Sequence, residues 1–476
     1  MHASQLEELV IHQREFFAIL EEFFSRAAGR SQSDFGSEDE IRQFFRQNAL
    51  AIAKRSEEAF VWLEKELGSF YQRHRTRPFK LSSQLGGVKL VLGGSSAFLD
   101  TQLRAVRKTL LYADTILVPD PILSWLEAPR KAEGFRFPRI IQAAWAVLQL
   151  KPLVDASLQY PAIVVFPSWE KSLEEQDSTT REGIRRLVTD VVSRATGQQL
   201  ETFEQVGQLA KRQGDEFLRA VEQHALFVPP EGAPGESIST ALSKYREFVK
   251  TWREEKYAKE LLALPDSALV LNGIVERVAP QFHLLENSQE LNSDPLFCLP
   301  VHAHYWRICC ALSSDRLQRL SLLDEGTFRV IEALNSTTFN WLGNVPINAL
   351  VELRKNNENE DFRRQLNNDL QAFHRATVED TNKVVAEVGR SIESLLTKHQ
   401  QEISRIEKKY SKLHGGSAVM SWATAAGMYV PLLAPYLGVS APLVLLMKYG
   451  WDKVNENEER KKAARSLMGV LAYARE

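Results

Sequence analysis

The chain has 476 residues, 44% hydrophobic and 25% charged, with a formal net charge of −2 at pH 7. This is ordinary globular composition and excludes wholesale disorder. The near-neutral balance also excludes global electrostatic steering toward nucleic acid or membrane, so any such preference must be local. Cys298, Cys309 and Cys310 are too few, and odd in number, for a disulfide framework, which fits a reducing compartment. The opening stretch from Met1 to Phe17 carries Glu7, Glu8 and Glu15 among apolar residues. It lacks the basic start and unbroken apolar run of a signal peptide, so the expected location is cytoplasmic.

In chain order, residues 4–28 and 37–75 show helical periodicity and predict a helical hairpin over 1–80. Ser37 and Glu40 have capping-box spacing. Phe44, Phe45, Leu50, Ile52, Phe60, Trp62 and Leu63 supply the apolar stripe. The pattern then changes over 81–170. Residues 88–92, 115–118 and 162–166 are β-type runs separated by helix-length segments, near 98–112 and 138–158. This alternation predicts a small three-strand parallel βαβαβ segment.

Residues 171–228 return to helix, and the Pro/Gly-rich stretch 228–235 reads as a break. A mainly helical domain is expected over 237–345, with Asn348 as cap of the next helix. Residues 346–414 read as a long helix or coiled-coil arm. In it Leu396, His399, Ile403, Ile406, Tyr410 and Leu413 alternate steps of three and four. Unbroken from 361 to 414 it would span about 80 Å, with Gly389 as a candidate break. Gly415 and Gly416 end it, and 415–476 reads as an apolar helical hairpin followed by a terminal helix. The expected class is therefore mainly α with a small α/β insert.

Four kinds of candidate site stand out. Gly93, Gly94, Ser95 and Ser96 lie between a strand and a helix, where free N–H groups can bind phosphate. The run matches neither the P-loop nor the dinucleotide fingerprint, and Gly and Ser also serve such turns structurally. Asp120 and Glu170 each follow a strand end, the place where parallel α/β sheets put ligands and where two acids suit Mg²⁺-dependent phosphodiester chemistry. Between Tyr71 and Arg139, twelve Lys/Arg stand against five Asp/Glu. Arg73, Arg75, Arg77, Arg104, Arg107 and Lys108 are the candidate polyanion contacts for nucleic acid or a nucleotide. The alternative is a set of solvated helix faces. His302 and His304 would share a face on a strand but diverge on the helix expected there, so no metal site is expected. No cofactor motif is present.

The tail from Ala418 to Met447 is apolar and flanked by lysines and arginines, as a re-entrant membrane segment would be. Pro431, Pro435, Gly438 and Pro442 divide it into pieces of core-helix length, so coverage by protein ranks above contact with lipid. Self-association or a protein partner is expected through 361–449.

The Leu110–Pro121 segment, together with the Leu342–Ile347 run, Leu353-Arg354 and Phe362-Arg363, resembles phrases in uncharacterised bacterial proteins. Some of those belong to antiviral defence islands. The resemblance covers about a tenth of the chain and implies a bacterial antiviral setting. It supplies no catalytic residue. The leading expectation is a bacterial cytoplasmic interaction or assembly protein, serving as sensor, scaffold or effector. The alternatives are a phosphate-handling enzyme (nuclease or nucleotide hydrolase) on the α/β segment and a membrane-active effector using the tail.

Overall fold

The structure is a computed structural model. It describes residues 3–35, 38–74, 77–93, 99–126, 133–167, 174–230, 232–253, 255–312, 337–370, 388–398 and 466–475, with short pieces at 333–334, 385–386, 401, 404–405 and 462. It is mostly helical around a small parallel sheet.

The chain opens with α1 (Ala3–Ala28), α2 (Glu38–Gln47) and α3 (Ala49–His74). The expected hairpin is present, and its second arm is interrupted at Asn48. The Asn48 side chain donates to the Phe44 carbonyl at 2.9 Å, the competing local bond that disfavours asparagine inside helices. Antiparallel packing of α1 on α3 follows from the edge-to-face pair Phe23–Phe60 and the Phe16–Phe70 contact. The Ser37 capping box lies outside the described residues.

Next come α4 (Arg77–Ser83), β1 (Lys89–Leu92), α5 (Leu99–Thr109), β2 (Thr115–Pro119), α6 (Leu123–Leu126), α7 (Glu133–Leu148), α8 (Lys151–Asp155) and β3 (Ile163–Phe166). All three expected strands form and pair in parallel, with Leu90 opposite Ile116 and Leu117 opposite Val164. A fourth strand joins them. After α9 (Glu174–Thr196), α10 (Phe203–Arg212), α11 (Gly214–Gln223), α12 (Ile238–Trp252), α13 (Glu255–Leu262) and α14 (Asp266–Leu291), the chain returns as β4 (Asp294–Leu296). The strand order is β3-β2-β1-β4.

Alternate strand residues face opposite layers. Leu90, Leu92, Ile116, Val118, Ile163, Val165 and Leu296 share the main core with α1, α3, α5 and α7. Val91, Leu117, Val164 and Phe166 face a second core made by Phe79 and Leu81 of α4, Leu284 and Leu285 of α14, and Trp306 of α15 (Pro300–Leu312). A third core, built from α9 to α15, forms a helical lobe around Val188, Phe217, Tyr245 and Ile274. Parallel strands buried on both faces read as the unbroken apolar runs seen in the sequence.

The C-terminal helices α16 (Ile347–Lys355), α17 (Glu358–Leu370) and α18 (Leu467–Arg475) return to the main core. So do Val388, Ile392, Leu395 and Leu396. The N-cap of α16 is Pro346, and Asn348 lies inside the helix rather than capping it. Proline suits a helix start, where its missing N–H costs no intrahelical bond. The remainder of the 396–413 seam and the whole apolar tail 418–447 lie outside the described residues.

Candidate functional site

Parallel strands put all their C-terminal ends on one edge, and the strand order makes the β1/β4 boundary the point where chain direction across the sheet reverses. Ligands of α/β folds bind at that kind of crevice. Here Gly93 is built into packing. Its N–H donates to Leu296 O at 3.0 Å, and its carbonyl accepts from the Cys298 thiol at 3.4 Å. A Cβ at Gly93 would collide with Leu284 of α14. Gly94, Ser95 and Ser96 lie outside the described residues. Burial pushes the Cys298 thiol up to about 12, so it stays a protonated, unreactive donor.

Asp120 follows the adjacent strand β2 and is 2% exposed. One carboxylate oxygen accepts the Tyr71 hydroxyl at 2.6 Å; the other accepts the Ile122 N–H at 2.8 Å. Burial and this carboxylate hold the Tyr71 phenol well above its ordinary value, fixing it as donor. Asp120 thus ties α3 to the turn after β2. Glu170 lies outside the described residues.

The basic candidates separate into two places. Arg73 and His74 both meet Glu15 of α1, and Arg77 makes a two-point contact to Glu8 at 2.7 and 2.5 Å. Arg75 lies outside the described residues. On α5, Arg104 is exposed, Arg107 reaches the Gly343 carbonyl at 3.5 Å, and Lys108 is 4% exposed. Burial, with Arg104 nearby, pushes the Lys108 ammonium down to about 8. Arg73 and Arg77 sit on α3 and α4, apart from the α5 group.

His302 and His304 lie on helix α15. His304 bonds the Ala225 carbonyl at 2.8 Å, and His302 is buried. Among the described residues, no group of three or more His, Cys, Asp or Glu side chains could hold a metal ion. No helix among them is long and apolar enough to cross a membrane.

The opposite, N-terminal edge of the sheet holds a dense polar network among the described residues, which sequence reasoning missed. The Asp114 carboxylate accepts the Val88 N–H at 2.8 Å, Arg363 at 2.7 Å and Asn359 at 3.2 Å. Arg354 donates to the Ala113 carbonyl at 2.7 Å and to the Asp114 carbonyl; Arg363 also reaches the Tyr112 carbonyl at 3.0 Å. Burial pushes Arg354 down to about 10, opposed by Asp114. Gly87, at φ 77°, leaves room for this carboxylate, since a Cβ there would stand 2.6 Å from Asp114 Oδ2. Tyr112 to Asp114 belong to one of the two phrases quoted for the bacterial resemblance, and Arg354 and Arg363 to the other. The phrases meet in one buried clasp between β2 and α16–α17, which was the available signal.

Beside it, Lys89 directs its ammonium at the carbonyls of Ser82 (3.2 Å), Ser83 (2.9 Å) and Leu291 (3.0 Å). The C-termini of α4 and α14 converge there, and a cation complements both helix dipoles. No family model, curated protein or solved structure matches the chain.

Proposed function

We propose that this chain acts by binding and assembly rather than by catalysis, as a cytoplasmic sensor, scaffold or effector of a bacterial antiviral defence system. One observation carries the reading. The chain is anchored in the main core by Leu395 and Leu396 and again by Leu467, Val470 and Leu471. The sequence between those anchors contains its longest apolar stretch, with Leu432, Leu433, Leu437, Leu443, Leu445 and Leu446. An apolar segment tethered at both ends to a rigid body suits presentation to a second copy or a protein partner, because such a surface must be covered. The charges at the sheet edges support the same view: Asp120, Asp114 and Lys89 are each engaged by the chain's own groups.

Sedimentation velocity over a range of concentrations tests this. A mass above the 54.1 kDa chain is expected, reverting to monomer in the double variant Leu433→Asp, Leu445→Asp while the far-ultraviolet circular dichroism is kept. A monomer at every concentration overturns self-assembly. Flotation with liposomes that the same variant loses would put a membrane in the partner's place. Phosphodiester or nucleotide hydrolysis abolished by Asp120→Asn, with the fold intact, would overturn the non-catalytic reading.

A further inference from the structure

The helical lobe contains a buried charge imbalance that its own residues do not resolve. Arg277, in the middle of α14, is 9% exposed. Its guanidinium lies over Phe248 of α12, 4.9 Å from the ring centroid, and 3.9 Å from Glu276 Oε2, beyond hydrogen-bond reach. Its Nε has no acceptor.

Glu276 is already engaged. It accepts the Tyr245 hydroxyl at 2.8 Å and Asn272 at 3.2 Å, and pairs with Arg253 at 2.9 Å. Two guanidinium groups therefore share one carboxylate, leaving one positive charge over. One turn along α14, Gln281 is 2% exposed and its side-chain oxygen also has no partner. Residues four apart on a helix bring their Cβ atoms within roughly 5–6 Å. An orphaned donor, Arg277 Nε, and an orphaned acceptor, the Gln281 side-chain oxygen, thus stand on one face of α14.

A buried guanidinium whose Nε–H finds no acceptor and whose nearest carboxylate is beyond hydrogen-bond reach is costly to a fold. Guanidinium geometry matches a planar carboxylate or a phosphoryl group. The acceptor on Gln281 narrows the choice, because a carboxylate only accepts, whereas a phosphate monoanion accepts at its charged oxygens and donates from its remaining hydroxyl. Its single negative charge matches the single excess positive charge. Arg253, with its side chain 34% exposed, gives the cluster an open side.

We infer that Arg277, Arg253 and Gln281 form a binding site for a phosphate group, closed on one face by Phe248. This inference is independent of the assembly reading and of the sheet edges.

The test uses the intact chain and inorganic phosphate, with ionic strength held constant by sodium chloride. Isothermal titration and thermal unfolding are read together. Saturable phosphate binding with a rising Tm is expected, and weaker binding of acetate. Arg277→Met and Gln281→Leu should each weaken phosphate binding at least tenfold. If Arg277→Met fails to fold, Gln281→Leu, which leaves both arginines in place, decides. No saturable response to phosphate, an equal response to acetate, or binding that a folded variant retains would overturn the inference.

Discussion

The carboxamide of Gln13 makes both hydrogen bonds that a neighbouring strand would make to Val165. Its nitrogen donates to the Val165 carbonyl at 2.9 Å, and its oxygen accepts the Val165 N–H at 2.7 Å. β3 is an edge strand, so these are the outward-facing groups that otherwise template aggregation. Gln13→Leu should orphan both, at roughly 1–3 kcal/mol for each group left unsatisfied. Urea unfolding should show the loss, and light scattering on warming should show earlier aggregation. Gln13→Glu, which keeps the acceptor and lacks the donor, should fall between. A stable Gln13→Leu variant would mean that α1 covers this edge without its amide.

Breaking the clasp at the other edge should be costly. Asp114→Ala leaves buried Asn359 without this acceptor and part-buried Arg363 with the Tyr112 carbonyl but no countercharge, and removing one partner of a buried pair costs about 3–5 kcal/mol. In a double-mutant cycle with Arg363→Met, the two losses should be far from additive. Additive losses would show that Asp114 acts through the Val88 N–H and Asn359 rather than through Arg363.

Acid should weaken the helical lobe. Burial and the Arg277 charge push the His302 imidazole down to about 3. The unfolded chain, with an ordinary histidine near 6.5, therefore binds more protons between those two values. Stability from this group is complete above pH 6.5 and falls as pH drops through the window, by about 2 kcal/mol between pH 6.5 and 5. His12, lowered mainly by burial, acts in the same direction. Denaturant midpoints measured from pH 7.5 to 5 should show a shallower slope in His302→Gln; an unchanged slope would remove His302 as the cause.

Gly93→Ala separates packing from ligand binding at the β1 turn. The added methyl meets Leu284, and overpacking of this kind costs about 1–3 kcal/mol. Leu284→Ala, introduced with it, should recover part of the loss. If Gly93→Ala instead leaves stability unchanged and alters binding of a phosphate compound, the glycine serves a ligand.

The sequence made β1, β2 and β3 legible because each is an apolar run bounded by helix-length segments. β4 was not, because Asp294, Pro295 and Leu296 carry neither alternation nor β-branched residues; a proline is tolerated there because the strand lies at a sheet edge. The basic excess over 71–139 was real as a count, yet Arg73 and Arg77 meet Glu15 and Glu8, acids that precede the counted window. Asp114 looked like an ordinary polar residue ahead of a strand, since its partners Asn359 and Arg363 lie 245 and 249 residues further on. Pairings at that distance leave no periodic trace. Arg277 was hidden for the opposite reason: an arginine within a helix is common, and only burial makes its lack of an acceptor visible.

The pairing of β1 with β4 sets a schedule for synthesis. Leu90 pairs with Ile116 on one side and Asp294 on the other, so one flank is available soon after β1 leaves the ribosome and the other must wait about 200 residues. At roughly 5–20 residues per second, that wait is about 10–40 s. Throughout it the nascent chain exposes a flat apolar strand with unpaired backbone groups, and the clasp at Asp114 waits longer still for Arg354 and Arg363. Translation rate and chaperone supply would then act on a chain whose sheet is still one strand short.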